Sequence, residues 1–166
     1  IGADGITMDS GAGAVGFSQS SGSGNQVNII LSTSQAWTNN SNAGLFLNDL
    51  GSLNLGGNTL TFTGSGSGQF NITGDISGSG GSIIKNGTMN LTITNNTSSG
   101  GITLNNGTLT LGSNTALGAT AGTFTITGGT IAIGATTRTT PNGNAQKWDG
   151  DFSVSGNGQT WFTGPG

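Results

Sequence analysis

Between Gly81 and Gly112 the apolar residues fall in short alternating pairs, Leu91 with Ile93, Ile102 with Leu104 and Leu109 with Leu111, each bounded by Gly, Asn, Ser or Thr. Alternation at period two puts each pair on one face of a strand, and the turn residues end the strand after a few positions. A strand this short cannot bury its own face. Since no segment offers an apolar stripe at helical spacing, the strands have to stack on copies of themselves, and a β-solenoid follows more naturally than a sandwich.

The same rhythm runs along the whole chain. Ile6-Thr7-Met8 and Ala14-Val15-Gly16-Phe17 read as strands, and Ser18 to Asn25 as a polar excursion between coils. Val27 to Leu31 is the most apolar run and is expected to be buried on both faces. In Thr59 to Thr63, Leu60 and Phe62 share one face and the threonines the other. Phe124 with Ile126 and Ile131 with Ile133 give two more pairs. Beyond Gly134, residues Thr136 to Gln146 are expected to project as a loop. Strand character resumes from Trp148 to Val154 and ends with Thr160 to Thr163, and the tryptophans are expected to cover corners or the coil edge. Strand starts recur roughly every seven to ten residues, so three strands per coil predict about eight coils and, at ~4.8 Å per coil, a rod on the order of 40 Å long.

Composition favours the same architecture. Of 166 residues only 31% are hydrophobic and 5% charged, and 34 are glycine. A conventional core would be undersized, yet scarcity of charge argues against charge-rich disorder. A narrow solenoid reconciles the two, with a thin apolar interior and ladders of Asn, Thr and Ser along the stack. Lys85, Arg138 and Lys147 are the only basic residues and cannot track a phosphate backbone, so no nucleic-acid partner is expected. No apolar run approaches the length of a membrane helix, so no membrane insertion of this segment is expected. Without cysteine, neither a disulfide nor a Cys-based metal site can form. The first residues, Ile1-Gly2-Ala3-Asp4, lack a start methionine and a basic segment, so the chain is expected to be a single solenoid unit, 1–166, within a longer protein or fibre.

Ile84-Lys85-Asn86-Gly87, Leu91-Thr92-Ile93, Gly100-Gly101 and Asn106-Gly107-Thr108-Leu109-Thr110-Leu111-Gly112 carry a family resemblance. Residues 81–112 resemble the autotransporter-associated β-strand repeat (passenger-associated transport repeat) of bacterial surface proteins. Met89-Asn90 stands where the repeat usually has a small pair, and the turn from Asn95 to Ser99 lacks a tyrosine often found there. The resemblance implies a right-handed parallel β-helix exported to the cell exterior or surface, and it implies no catalytic residue.

Candidate chemistry is sparse. Asp149 and Asp151, two apart on an expected strand, would share a face as a carboxylate pair could in a polysaccharide-acting β-helix enzyme. The chain has no His and no Glu to complete such a site, so the aspartates are read as solvating a strand end beside Lys147. Asp4 and Asp9 fall in no calcium-binding repeat. No catalytic residue, cofactor site or metal site is assigned, and the chain is expected not to be an enzyme. Outward threonines in Thr59-Leu60-Thr61-Phe62-Thr63, Thr92-Ile93-Thr94, Thr108-Leu109-Thr110 and Thr123-Phe124-Thr125-Ile126-Thr127 form the kind of array an adhesin or ice-binding module presents, but at irregular spacing. A cell-surface or carbohydrate ligand is the partner class such a face would suit.

The ends matter most for the expected role. Ile6 and Met8 in the first strand, and Trp161 and Phe162 in the last, lie on edges with no capping helix, the last strand being followed here by Gly164-Pro165-Gly166. Open edges invite strand addition. The expected partner is therefore another copy of the segment, in tandem or as a head-to-tail polymer, and the expected role is a structural extracellular stalk or fibre.

Overall fold

The computed structural model describes residues 3–17, 26–48, 51–133, 138–139, 143–157 and 160–161. Every regular element among them is a strand, and every strand pairing is parallel. In chain order the strands are β1 (Ile6–Met8), β2 (Val15–Phe17), β3 (Val27–Ile30), β4 (Gln35–Asn39), β5 (Leu45–Leu47) and β6 (Gly51–Asn54). Then come β7 (Thr59–Thr63), β8 (Gln69–Ser77), β9 (Ser82–Lys85), β10 (Asn90–Asn96), β11 (Ile102–Leu104) and β12 (Thr108–Leu111). The last are β13 (Phe124–Ile126), β14 (Thr130–Ile133), β15 (Arg138–Thr139), β16 (Gln146–Trp148), β17 (Ser153–Gly156) and β18 (Thr160–Trp161).

The chain winds as a β-solenoid. One sheet runs β1-β4-β7-β9-β11-β13-β16, and the facing sheet runs β2-β5-β8-β10-β12-β14-β17. A third side begins with β3 and β6 and continues in the second half of β8, because that long strand pairs with both β5 and β6. About five turns are fully built, paired above and below on both sheets. The expected eight coils overcount the stack. Coil length is uneven, with registered partners in adjacent coils from 18 positions apart (Leu91 and Leu109) to 31 (Ile6 and Trp37), and β8 spends two apolar groups on one continuous strand.

Alternation places like on like. In the first sheet, Trp37, Phe62, Lys85, Leu104 and Ile126 follow one another in register between Ile6 and Trp148. In the facing sheet Leu45, Phe70, Leu91, Leu109 and Ile131 do the same, and all five are buried. The aromatic rings meet edge to face inside the tube, Trp37 with Phe62 at 5.7 Å and Phe62 with Phe70 at 5.0 Å between centroids. Such pairs add ~1 kcal/mol each to what burial alone contributes.

Tight corners depend on glycine where one coil lies directly on the next. Gly107 adopts φ +72, and a Cβ there would stand 2.6 Å from Lys85 Nζ. Gly87 above it adopts φ +68 and would press a Cβ onto the backbone nitrogen of Gly64 at 2.7 Å. These two positions exclude side chains twice over, by backbone conformation and by space.

Several local expectations change in three dimensions. Ile30 is 62% exposed, so the Val27 to Leu31 run faces inward on one side only, through Ile29 and Leu31. Trp37 does not cover a corner but fills the core, whereas Trp148 is 60% exposed. Within the segment expected to project as a loop, Arg138–Thr139 forms β15 and pairs with β18. Asn144 is buried there, its Nδ2 donating to the carbonyls of Ala119 at 2.7 Å and Gly122 at 3.0 Å. Asp149 and Asp151 lie between β16 and β17, not on a shared strand face.

Candidate functional site

On β9 the alternation that buries Ile83 also buries Lys85, two positions on. The ammonium therefore enters the tube between Phe62 and Leu104. Its Nζ donates to the carbonyl oxygens of Asn86 at 2.6 Å, Gly87 at 2.9 Å and Asn106 at 3.1 Å. Two acceptors belong to its own turn and one to the turn of the next coil, so the group bridges successive coils. Burial pushes its pKa down to about 8, while each carbonyl dipole favours the charged form. Three acceptors match the three donors of an ammonium.

Buried asparagines close other corners. Asn96 donates from Nδ2 to Ala116 O at 3.3 Å, and its Oδ1 accepts from the backbone N–H of Ser98 at 3.0 Å and the Ser98 hydroxyl at 2.7 Å. Asn39 donates to Ala43 O at 2.9 Å and accepts from the Ser41 N–H at 2.9 Å. Ser41 in turn donates to the carbonyl of Ala12 in the preceding coil. One inward site on β4 is less well served. Both polar atoms of the Gln35 carboxamide and the indole nitrogen of Trp37 are buried without a hydrogen-bond partner.

Lys147 reaches Asp149 at 2.6 Å in an exposed ion pair, which leaves Asp149 engaged beside an exposed Asp151. Among the described residues no group of three or more His, Cys, Asp or Glu could hold a metal ion, and no helix is long and apolar enough to cross a membrane. The outward threonine columns are interrupted. In the first sheet Thr61 is followed by Ile84, then Thr103, Thr125 and Lys147; in the facing sheet Asn71 is followed by Thr92, Thr110, Ala132 and Ser155. Thr110 donates its hydroxyl to Asn90 Oδ1 at 2.7 Å, so part of this surface is spent on contacts between coils.

The expected assembly edges separate. Ile6 and Met8 stand on β1, which among the described residues pairs only with β4, and Met8 is already 98% enclosed, at 2% exposure. Trp161 lies on β18, whose backbone pairs with β15, while Phe162 lies outside the described residues. Sequence parity contained the signal for Lys85, since it follows Ile83 by two; charge alone assigns it to the surface. No family model, curated protein or solved structure matches the chain.

Proposed function

We propose that this chain is a structural segment of an extracellular bacterial surface protein, a stalk or fibre that extends by adding coils to its ends. The observation that carries the reading is the register of the two sheets. The same inward columns run unbroken through the stack and stop at strands that, among the described residues, are paired on one side, β1 and β2 at one end and β16 and β17 at the other. At the β16–β17 end the columns finish in apolar side chains that remain in water, Trp148 and Val154, the latter 56% exposed. A further coil in the same register would cover both. Surface location rests on the resemblance of residues 81–112 to the autotransporter-associated repeat.

Negative-stain electron microscopy of the purified chain, with sedimentation across a concentration series, tests the reading. Rods lengthening in steps of the segment support it. A compact particle of one unchanging mass at every concentration counts against end-on addition, and surface labelling of cells producing the full protein decides its location. The adhesin or ice-binding alternative draws on Thr61, Thr103 and Thr125 in one outward column. Thermal hysteresis or retention on immobilised glycans by the monomer would favour it instead.

A further inference from the structure

The corner beneath Lys85 brings together three groups that can react with one another. Asn106 is followed by Gly107, and the Gly107 N–H donates to the Oδ1 of Asn106 at 2.7 Å. The backbone nitrogen thus lies against the carboxamide of the side chain that precedes it. Lys85 Nζ, buried, is 3.1 Å from the Asn106 carbonyl oxygen. The missing Cβ of Gly107 leaves room for that approach, since an atom at its place would stand 2.6 Å from Nζ. Asn106 itself is exposed, so its side chain can move without disturbing the core. The other Asn-Gly pair in this column differs, because the Asn86 carboxamide oxygen accepts from Asn105 Nδ2 at 2.8 Å.

We propose that Lys85 and Asn106 form a self-modification site, at which the lysine amine becomes covalently joined to residue 106 and ties one coil to the next. In the first step Gly107 N bonds to Asn106 Cγ and the Cγ–Nδ2 bond breaks. The leaving Nδ2 takes the amide proton of Gly107 and departs as ammonia, which leaves a five-membered imide. In the second step the unprotonated Nζ of Lys85 attacks the imide carbon whose oxygen it already contacts. The Nζ–C bond forms, the bond from that carbon to Gly107 N breaks, and one proton passes from Nζ to the released nitrogen. The main chain then continues through Cγ of residue 106. Net change is the loss of one ammonia, with no oxidant, metal or cofactor.

Imides in proteins ordinarily open by hydrolysis. Here an amine in contact with the electrophilic group has the advantage of proximity, which in well-oriented intramolecular reactions corresponds to effective concentrations of about 10⁵ M or more. Burial also holds the pKa of Lys85 near 8, so the nucleophilic form is populated at mildly alkaline pH. The inference is independent of where the protein resides.

Incubation of the folded chain at mildly alkaline pH, followed by intact-mass measurement and peptide mapping, tests the site. The expected result is a time-dependent loss of the mass of one ammonia, with a branched peptide containing positions 85 and 106. Asn106→Ala keeps every backbone acceptor of Lys85 and should show no loss; Lys85→Met should show no branched peptide. An unchanged mass overturns the proposal. So does the gain expected for conversion of amide to acid, or an ammonia loss without the branched peptide.

Discussion

Lys85 lies directly beneath Phe62, in register, at a place in the column where Ile6, Trp37, Leu104, Ile126 and Trp148 supply apolar side chains. An ammonium is held there because carbonyls of two turns converge on it. Removing one side of a buried polar set leaves the other without partners. Lys85→Ala, which also opens a cavity, should lower unfolding free energy by about 3 kcal/mol or more. Lys85→Met refills the space but orphans the carbonyls, at about 1–2 kcal/mol. Urea titration followed by far-UV circular dichroism reads both.

The same lysine gives stability a pH dependence of defined sign. Its pKa is about 8 when folded, against 10.5 ordinarily, so between those values the unfolded chain binds more protons. Stability contributed by this group therefore rises with pH across that window, and below it the cost of burying the charge is fully present. The urea midpoint should increase from pH 8 to 10.5 in the wild type. Lys85→Met should show a flatter profile, and equal slopes in the two proteins would contradict the assignment.

Gln35 follows the opposite logic. It sits above Leu60 in a column that continues through Ile83 and Ile102, and neither of its polar atoms has a partner. Gln35→Leu should stabilise the fold by about 1–2 kcal/mol, the usual cost of a buried unsatisfied group. A loss of stability would contradict the reading that the carboxamide is a net cost at this position.

Two glycines should behave in contrasting ways. Gly107→Ala forces a Cβ into a left-handed backbone beside Lys85 Nζ, and should cost at least about 2 kcal/mol. Gly13 has no atom within 4 Å of a built Cβ and no left-handed φ, so Gly13→Ala should be neutral or stabilise by up to about 1 kcal/mol. Thermal melts of the two variants side by side give the comparison.

Period-two alternation made most of the inward faces legible. Leu91, Ile93, Leu109, Leu111, Phe124 and Ile126 are buried where their parity placed them. Coil count was not legible, because it depends on which strands share a side, and nothing local separates the Gln69–Ser77 strand into its two pairings. Trp37 and Trp148 show a second limit. Both belong to one column, yet one is enclosed and the other exposed, and only position along the stack distinguishes them. Lys85 was hidden by its charge: its parity pointed inward, but the partners that make an inward ammonium tolerable are backbone carbonyls, which any sequence possesses.

The ladder also sets how the rod would respond to a pull. Strands lie across the stack and their hydrogen bonds run along it, so tension applied to the two ends loads the coils in series and the terminal coil peels first. Each released coil frees a length set by its residue count. Contacts between adjacent coils join residues 18 to 25 positions apart through most of the stack, which at roughly 3.5 Å per extended residue corresponds to steps of about 63–88 Å. A stalk made this way would yield under load in discrete increments, lengthening many-fold before the chain is taut, and the coils joined through Lys85 would be a point at which peeling pauses.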